Sequence, residues 1–406
     1  MTRESTEPWV NRQQVTGPAL HALVIGVSEY AFLPATQDEF PRDDKVTLGL
    51  TKLKTPAAGA FRFAKWPRDR YWHPTVKVKT IRLLISPSPE ERENEIGNPG
   101  ENVLPANSAN VAAALEEWKA ACRGNPDGIA VMYVAGHGVR WDSEYDSLIL
   151  LEDFGTEGQF LSETAAMEKT LKRMSNTDLP ATQFYFADSR RVNPDEAKNW
   201  DPDDPPGTPI APRQREPKNN AVICAPLFNA AYTGQTAKGY RSEGTFFSQG
   251  LVECLDGYGW MSPSDRPTRE IDRYFRITPE GLSLRLPERV QAIAARHGEF
   301  QQTEVNRYPL NVTVFSASEK HPVAPVELTV DPKNAAEGAK AILNGDDGNP
   351  VIDDGPQPCA PPPLRLPAVP VGKHALIVNP TAPYKQYVST VMVSLYDGYS
   401  GKVTLR

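Results

Sequence analysis

Ile129-Ala-Val-Met-Tyr-Val-Ala-Gly-His137-Gly138 runs from an unbroken apolar segment straight into a histidine flanked by glycines. The part from Ile129 to Ala135 is rich in β-branched and aromatic residues, which predicts a strand buried on both faces, as at the centre of a parallel sheet. A histidine placed where such a strand stops lies at the carboxyl edge of the sheet, where open α/β folds carry their chemistry. The two glycines allow a sharp turn and a close approach of backbone to a ligand. Taken alone, Gly-His-Gly serves equally well as a turn that contains a histidine.

A second apolar run ends in the same manner. Thr182-Gln-Phe-Tyr-Phe-Ala187 stops at Asp188-Ser189-Arg190-Arg191. Together the two strand ends resemble the caspase-like cysteine peptidases, and the metacaspases and their bacterial relatives most closely. In that family a strand ending Tyr-x-Ala/Ser-Gly-His-Gly supplies the catalytic histidine, and the next core strand ends Asp-Ala/Ser-Cys-Arg/His, whose cysteine is the nucleophile. His137 matches the family histidine, Asp188 the acidic residue two before the nucleophile, and Ser189 the small residue between. The spacing fits as well: caspase-type enzymes place the histidine roughly 50 residues before the cysteine, and 53 residues separate His137 from position 190. That position holds Arg190 in place of cysteine.

The resemblance implies an α/β fold, a caspase-like and mostly parallel sheet flanked by helices, over about residues 19–316. It implies further that residues 1–18 form an amino-terminal extension. With 406 residues the chain exceeds what one hydrophobic core serves, and residues 317–406 differ in kind. There Val326–Val330, Ala375–Val378, Tyr387–Leu395 and Gly401–Leu405 alternate between Pro- and Gly-rich turns, which reads as a small β-sandwich. A docking role is the default for such an appendage, and no ligand is legible in it.

Composition narrows the function classes. A net charge of −7 argues against sequence-independent nucleic-acid binding, which needs a basic face. No apolar run approaches the ~18 residues that span a bilayer, and Met1-Thr-Arg-Glu-Ser-Thr-Glu7 carries no apolar signal segment. Cys122, Cys224, Cys254 and Cys359 are scattered and form no Cys-x-x-Cys pair, as expected of reduced thiols in a cytoplasmic protein. His21, His73, His297, His321 and His374 are equally scattered, so no metal and no cofactor is expected in the chemistry.

In chain order, His21–Val27 is expected to be the first core strand and Ala57–Ala64 a helix. The family carries an Asn-Asp-Ala in that helix, whose Asp helps to bind a basic substrate residue; Gly59 stands in its apparent place. Val76–Ile85 reads as a strand with one face partly exposed. Ser108 caps a helix whose Val111, Leu115, Trp118 and Cys122 share a stripe, stopped by Gly124. Strand, helix, strand in that order implies parallel pairing. Beyond Gly138, the acidic stretch Trp141–Asp146 reads as a solvated loop beside the site, and Leu148–Asp153 as a short strand. A helix over Glu163–Met174 leads to the Asp188 strand. The core resumes with a strand at Ala221–Ala225, a helix at Gly244–Gly257 that resembles the family's Gly-x-Phe-Thr-x-x-Leu segment, a helix at Leu286–His297 and an edge strand at Tyr308–Phe315.

Residues 192–220 cannot build helix or sheet, because they are dominated by proline and charge. Family members often carry an activation loop here, between the large and small parts of the catalytic unit. Arg213, Arg215 and Lys218 are candidate processing sites, for the enzyme itself or for an upstream activating protease; an inert insertion is the other reading.

A caspase-type mechanism needs a thiolate to attack the scissile carbonyl, an imidazole to manage protons and N–H groups to hold the oxyanion. By resemblance, His137 supplies the imidazole, Gly138 and position 190 the oxyanion donors, and Asp188 the base of a pocket for Arg or Lys of a protein or peptide substrate. Arg190 is no nucleophile, since a guanidinium stays protonated. Its proximity in sequence, and that of Arg191, also offers Asp188 an internal partner. Three readings stay open: a peptidase with a substituted nucleophile, a natural pseudoprotease that binds without cutting, and use of Ser189, whose side chain a strand would turn to the opposite face.

Overall fold

The structure is a computed structural model that describes residues 7–36, 38, 48–140, 147–155, 164–175, 178–189, 224–231, 238–240, 244–264, 266–306, 313–318, 322–345, 348–351, 355–360, 363–393 and 398–405. The chain divides into two compact units, Met1–Ala317 and Ser318–Arg406. Arg190, Arg213, Arg215, Lys218 and the acidic stretch at 141–146 lie outside the described residues.

The first unit is built on a seven-stranded sheet. Its strands are β1 (Val10–Asn11), β2 (Ala19–Val27), β3 (Lys77–Ser86), β4 (Ile129–Gly136), β5 (Thr182–Ser189), β6 (Leu227–Asn229) and β7 (Glu304–Asn306), in the order β1-β3-β2-β4-β5-β6-β7. Strands β3, β2, β4, β5 and β6 run parallel, and the antiparallel β1 and β7 close the two edges. The fold is therefore mixed α/β with a central, mostly parallel sheet flanked by helices, as the apolar runs predict.

Every residue of β4 is buried, because helices cover both faces of the sheet. Val131, Tyr133 and Ala135 enter one hydrophobic cluster with Phe63 of α1 (Pro56–Asp69), Phe184 and Phe186. Ala130, Met132 and Val134 enter the other, with Trp118 of α2 (Ser108–Cys122) and Leu171 of α3 (Met167–Arg173). The first cluster is completed by Phe246 and Phe247 of α4 (Phe246–Glu253) and by Val290 and Ile293 of α5 (Pro279–Arg296). Aromatic stacking fixes its centre: the Phe63 and Tyr133 rings lie 4.7 Å apart at 14°, and those of Phe186 and Phe228 5.3 Å apart at 20°. Each such side chain contributes roughly 1.5–3 kcal/mol by burial.

Several boundaries differ from the sequence expectation. α2 is capped by Asn107, whose side chain accepts from the Asn110 N–H at 2.9 Å, because the Ser108 hydroxyl donates to Asp153 instead. Of the helix expected at 163–174, Thr164–Ala166 is a strand paired with Ser147–Leu150, and only Met167–Arg173 is helical. Of the strand expected at Ala221–Ala225, residues 221–223 lie outside the described residues, and the described ladder with β5 is carried by β6. Cys224 makes an isolated bridge to Thr182, and Pro226, lacking an N–H, interrupts the ladder before Leu227. In the segment 244–257, Gly244–Thr245 is extended and Thr245 caps α4, so the helix starts only at Phe246. α5 begins about two turns earlier than expected, at Pro279, and runs through Pro287, a residue at which a sequence pattern would end a helix. Among the described residues the sheet's far edge is β7; of the strand expected at 308–315, residues 308–312 lie outside the described residues and 313–315 are not in a strand. There the Phe315 N–H donates to the Ile277 carbonyl.

The unit Ser318–Arg406 holds two sheets. Leu364–Pro370, Val323–Asp331 and Tyr399–Thr404 form one; Gln357–Pro358, Lys340–Asn344, Gly372–Asn379 and Tyr387–Val393 form the other. Val326, Leu328 and Val330 alternate with more exposed residues along their strand and share one cluster with Leu343, Leu376, Val378, Val391 and Val393. Three strands here, Lys340–Asn344, Gln357–Pro358 and Leu364–Pro370, lie outside the segments expected from the sequence. Among the described residues of the whole chain, no helix is long and apolar enough to cross a membrane.

Candidate active site

The ladder between β4 and β5 is in register along its whole length, and its last pairs are Ala135 with Asp188 and Gly136 with Ser189. The next residues in sequence are His137 and Arg190. The structure thus brings His137, Gly138 and Asp188 to the carboxyl edge of two adjacent central strands.

His137 is buried and held from two directions. Its backbone N–H donates to the Tyr30 hydroxyl at 2.8 Å, and its Nε2–H donates to the Thr51 carbonyl at 2.7 Å. A carbonyl only accepts, so Nε2 carries the proton, and in the neutral imidazole Nδ1 is the basic nitrogen. The Tyr30 phenol lies fully inside the protein, and burial pushes its pKa well up, so it stays a neutral hydroxyl. Its fit requires glycine at 136: a Cβ there would approach the Tyr30 Oη to 2.9 Å.

After His137 the chain turns into the hairpin Gly138–Arg140 with Ser147–Leu150. The Leu150 N–H donates to the His137 carbonyl at 2.8 Å. Gly138 stands opposite Ile149 in the same register, and positions alternate along an antiparallel ladder. Its own N–H is therefore turned away from the partner strand.

Asp188 points to the α1 and α4 side of the sheet, and Ser189 to the other face, following the alternation of Phe184 and Phe186 against Tyr185 and Ala187. The Asp188 carboxylate is 2 % exposed. Its Oδ2 accepts from the Tyr133 hydroxyl at 2.6 Å and from the Thr245 hydroxyl. Burial pushes its pKa up to about 6, against the pull of those two donors. Among the described residues, Oδ1 has no hydrogen-bond partner, nor do the Ser189 hydroxyl and the Asn229 side-chain amide, all three being buried. Gly59 packs against the same corner: a Cβ there would come within 2.9 Å of the Ser248 Oγ and 3.3 Å of the Thr245 Oγ1. A side chain at that position would press first on Ser248 and next on the threonine that binds Asp188.

Nothing in the sequence marks Tyr30, Thr51, Thr245 or Asn229 as part of this site. Thr51 acts through a main-chain carbonyl, which leaves no side-chain signal, and Tyr30 lies in a polar stretch with no motif. Asn229 ends β6 next to Ala187, and an alternation of small polar and apolar residues would have marked it only once β6 had been placed. Cys122, Cys224, Cys254 and Cys359 are all buried free thiols. Burial raises those of Cys122 and Cys254, and that of Cys359 to about 11.

In sequence the chain matches no protein-family model and no curated protein. Among solved structures it is similar to protein GSU0716 from Geobacter sulfurreducens, with 14% identity and a TM-score of 0.38, covering 71% of this chain and 93% of that one. It is also similar to Caspase-1 from Spodoptera frugiperda, with 10% identity and a TM-score of 0.36, covering 77% of this chain and 99% of that one.

Proposed function

We propose that this chain is a caspase-like cysteine endopeptidase of the His/Cys dyad type, specific for bonds after Arg or Lys and inactive as written because Arg190 occupies the nucleophile position. The observation that carries the reading is the in-register pairing of β4 with β5, whose ends at Gly136 and Ser189 are followed in sequence by His137 and position 190. The orientation of the imidazole supports it further. With Nε2–H on the Thr51 carbonyl, Nδ1 is left as the base, and a base oriented by a third group is the expected arrangement of such a dyad.

With a thiol at position 190, the chemistry runs as follows. Nδ1 of His137 takes the thiol proton, and the sulfur attacks the scissile carbonyl carbon. The oxyanion is held by the Gly138 N–H and the amide at 190. The imidazolium then gives its proton to the leaving amine, and water, deprotonated by the same imidazole, hydrolyses the thioester. Arg190 offers no electron pair for the first step. Asp188 serves the basic residue of the substrate, residues 317–406 form an appended β-sandwich, and Arg213, Arg215 and Lys218 are processing sites.

A second reading, a pseudoprotease that binds a peptide or protein without cutting it, draws on one specific observation. The Asp188 carboxylate is buried and closed in by two hydroxyls, and Gly59 supplies no second acid, which suits a scaffold better than a wide pocket for a cation. Arg190→Cys separates the two. The peptidase reading expects hydrolysis of short peptides with Arg or Lys before the scissile bond, lost again on adding His137→Ala. A folded Arg190→Cys protein that leaves a diverse peptide library intact leaves only the scaffold.

A further inference from the structure

Glu91 lies on none of the segments discussed so far, yet it is fully buried. It sits in the helical turn Pro89–Glu91 that follows β3. All of its hydrogen bonds are to groups at the carboxyl edge of the sheet. Oε1 accepts from the Ser28 hydroxyl at 3.0 Å and from the Ala58 N–H at 2.9 Å; Oε2 accepts from the Ser88 N–H at 2.8 Å. The Ser28 Oγ in turn accepts from the Ala57 N–H at 3.0 Å.

These bonds cap α1 from a distance. Thr55, the residue before the helix, makes no side-chain cap, and Pro56 at the first position has no N–H. The next two N–H groups, of Ala57 and Ala58, are met by Ser28 and Glu91. A carboxylate here also faces the positive end of the helix dipole. Burial still holds Glu91 above the ordinary carboxylate range, against the donors from Ala58, Ser88 and Ser28. So costly a group needs a structural reason to be where it is.

The reason lies five residues upstream of the helix, at Thr51. The segment that precedes α1 carries Thr51, whose carbonyl orients the His137 imidazole. Its course is fixed at three points: the Lys52 N–H donates to the Pro34 carbonyl at 3.0 Å, the Leu53 N–H donates to the Ser28 carbonyl at 2.8 Å, and α1 begins at Pro56. Ser28 and the start of α1 are the two points that Glu91 joins. Ser28 also leads into Tyr30, the second group that holds His137.

We propose that Glu91 is a positioning residue for His137, acting through Ser28 and the first turn of α1 to place the Thr51 carbonyl against Nε2. The inference rests on the dyad reading only in calling His137 the base; the geometry it predicts exists without catalysis. The test therefore uses the full-length chain with Arg190 in place, its histidines labelled with ¹⁵N and ¹³C, and His137 assigned through a His137→Asn variant. The parent is expected to show the Nε2–H tautomer at His137 with narrow signals. Glu91→Ala and Ser28→Ala are expected to move His137 to a mixture of tautomers. Glu91→Gln, which keeps one oxygen for Ser28 and Ala58, is expected to stay near the parent.

A Glu91→Ala protein that melts at a lower temperature but keeps the Nε2–H tautomer has lost stability alone, and overturns the proposal. If Glu91→Ala does not fold, Ser28→Ala decides by the same criterion. In the Arg190→Cys background, Ser28→Ala is further expected to lower kcat by roughly 10- to 100-fold at unchanged KM, the size of effect that a misplaced catalytic group produces. An inactive Arg190→Cys parent would count against the peptidase and leave the tautomer result standing.

Discussion

At the scale of single residues, the ionisable groups inside the first unit act in opposite directions on stability. Asp188 titrates at about 6 in the fold against an ordinary 3.8. Between those values the folded protein binds more protons than the unfolded one, so the contribution of Asp188 improves as pH falls through 6 toward 4. Asp188→Asn removes the ionised form and should stabilise the protein at pH 7.5, by up to roughly 3 kcal/mol, with the gain vanishing near pH 4. His21 and His73 behave the other way: burial pushes both down to about 4. Their contribution is full above about 6.5 and is lost as pH falls toward 4. Urea unfolding of the parent, Asp188→Asn and His21→Asn at pH 7.5, 6 and 4.5 measures both signs. Loss of stability in Asp188→Asn at pH 7.5 would show that the carboxylate is paired in its charged form. None of these shifts was legible in the sequence, since burial and the hydroxyls of Tyr133 and Thr245 come from elements distant along the chain.

At the scale of elements, the strands that carry the site were legible because each is an apolar run ended abruptly by polar or glycine residues, and β4 and β5 lie next to each other as the crossover pattern requires. What failed were boundaries, and each failure has a local cause: Asn107 outcompeting Ser108 as a cap, Pro226 interrupting a ladder, Thr245 capping α4. The packing of α1 on β2 was equally hidden. It depends on Gly26, where a Cβ would lie 2.5 Å from the Ala60 Cβ and 2.9 Å from the Ala57 Cα. Gly26→Ala should therefore lift the start of α1 from the sheet and cost about 1–3 kcal/mol, as overpacking of a close contact does. A denaturation midpoint unchanged by the substitution would mean that the helix does not bear on the strand there.

At the scale of the whole molecule, the division into two compact units follows the change in pattern, from apolar runs with crossovers to short alternating strands. The C-terminal unit draws its core from its own residues. Processing between residues 192 and 220 belongs at this scale too, as a proposal from sequence. Arg190→Cys incubated alone should be cut after Arg213, Arg215 or Lys218, read by mass spectrometry of the new termini. Replacing all three by Ala should keep the chain whole and lower its activity. Full activity in the triple variant would make the segment an insertion.

The proposed function requires His137 and position 190 to form one reaction centre beside a carboxylate that selects basic residues. Its most direct measurement is the intact mass of Arg190→Cys after exposure to a short peptide ketone that ends in arginine and carries a leaving group for thiolate attack. A single covalent adduct at position 190 is expected, formed much more slowly with His137→Ala and with a peptide ending in glutamate. A folded Arg190→Cys protein that stays unlabelled, or is labelled equally fast without His137, would contradict it.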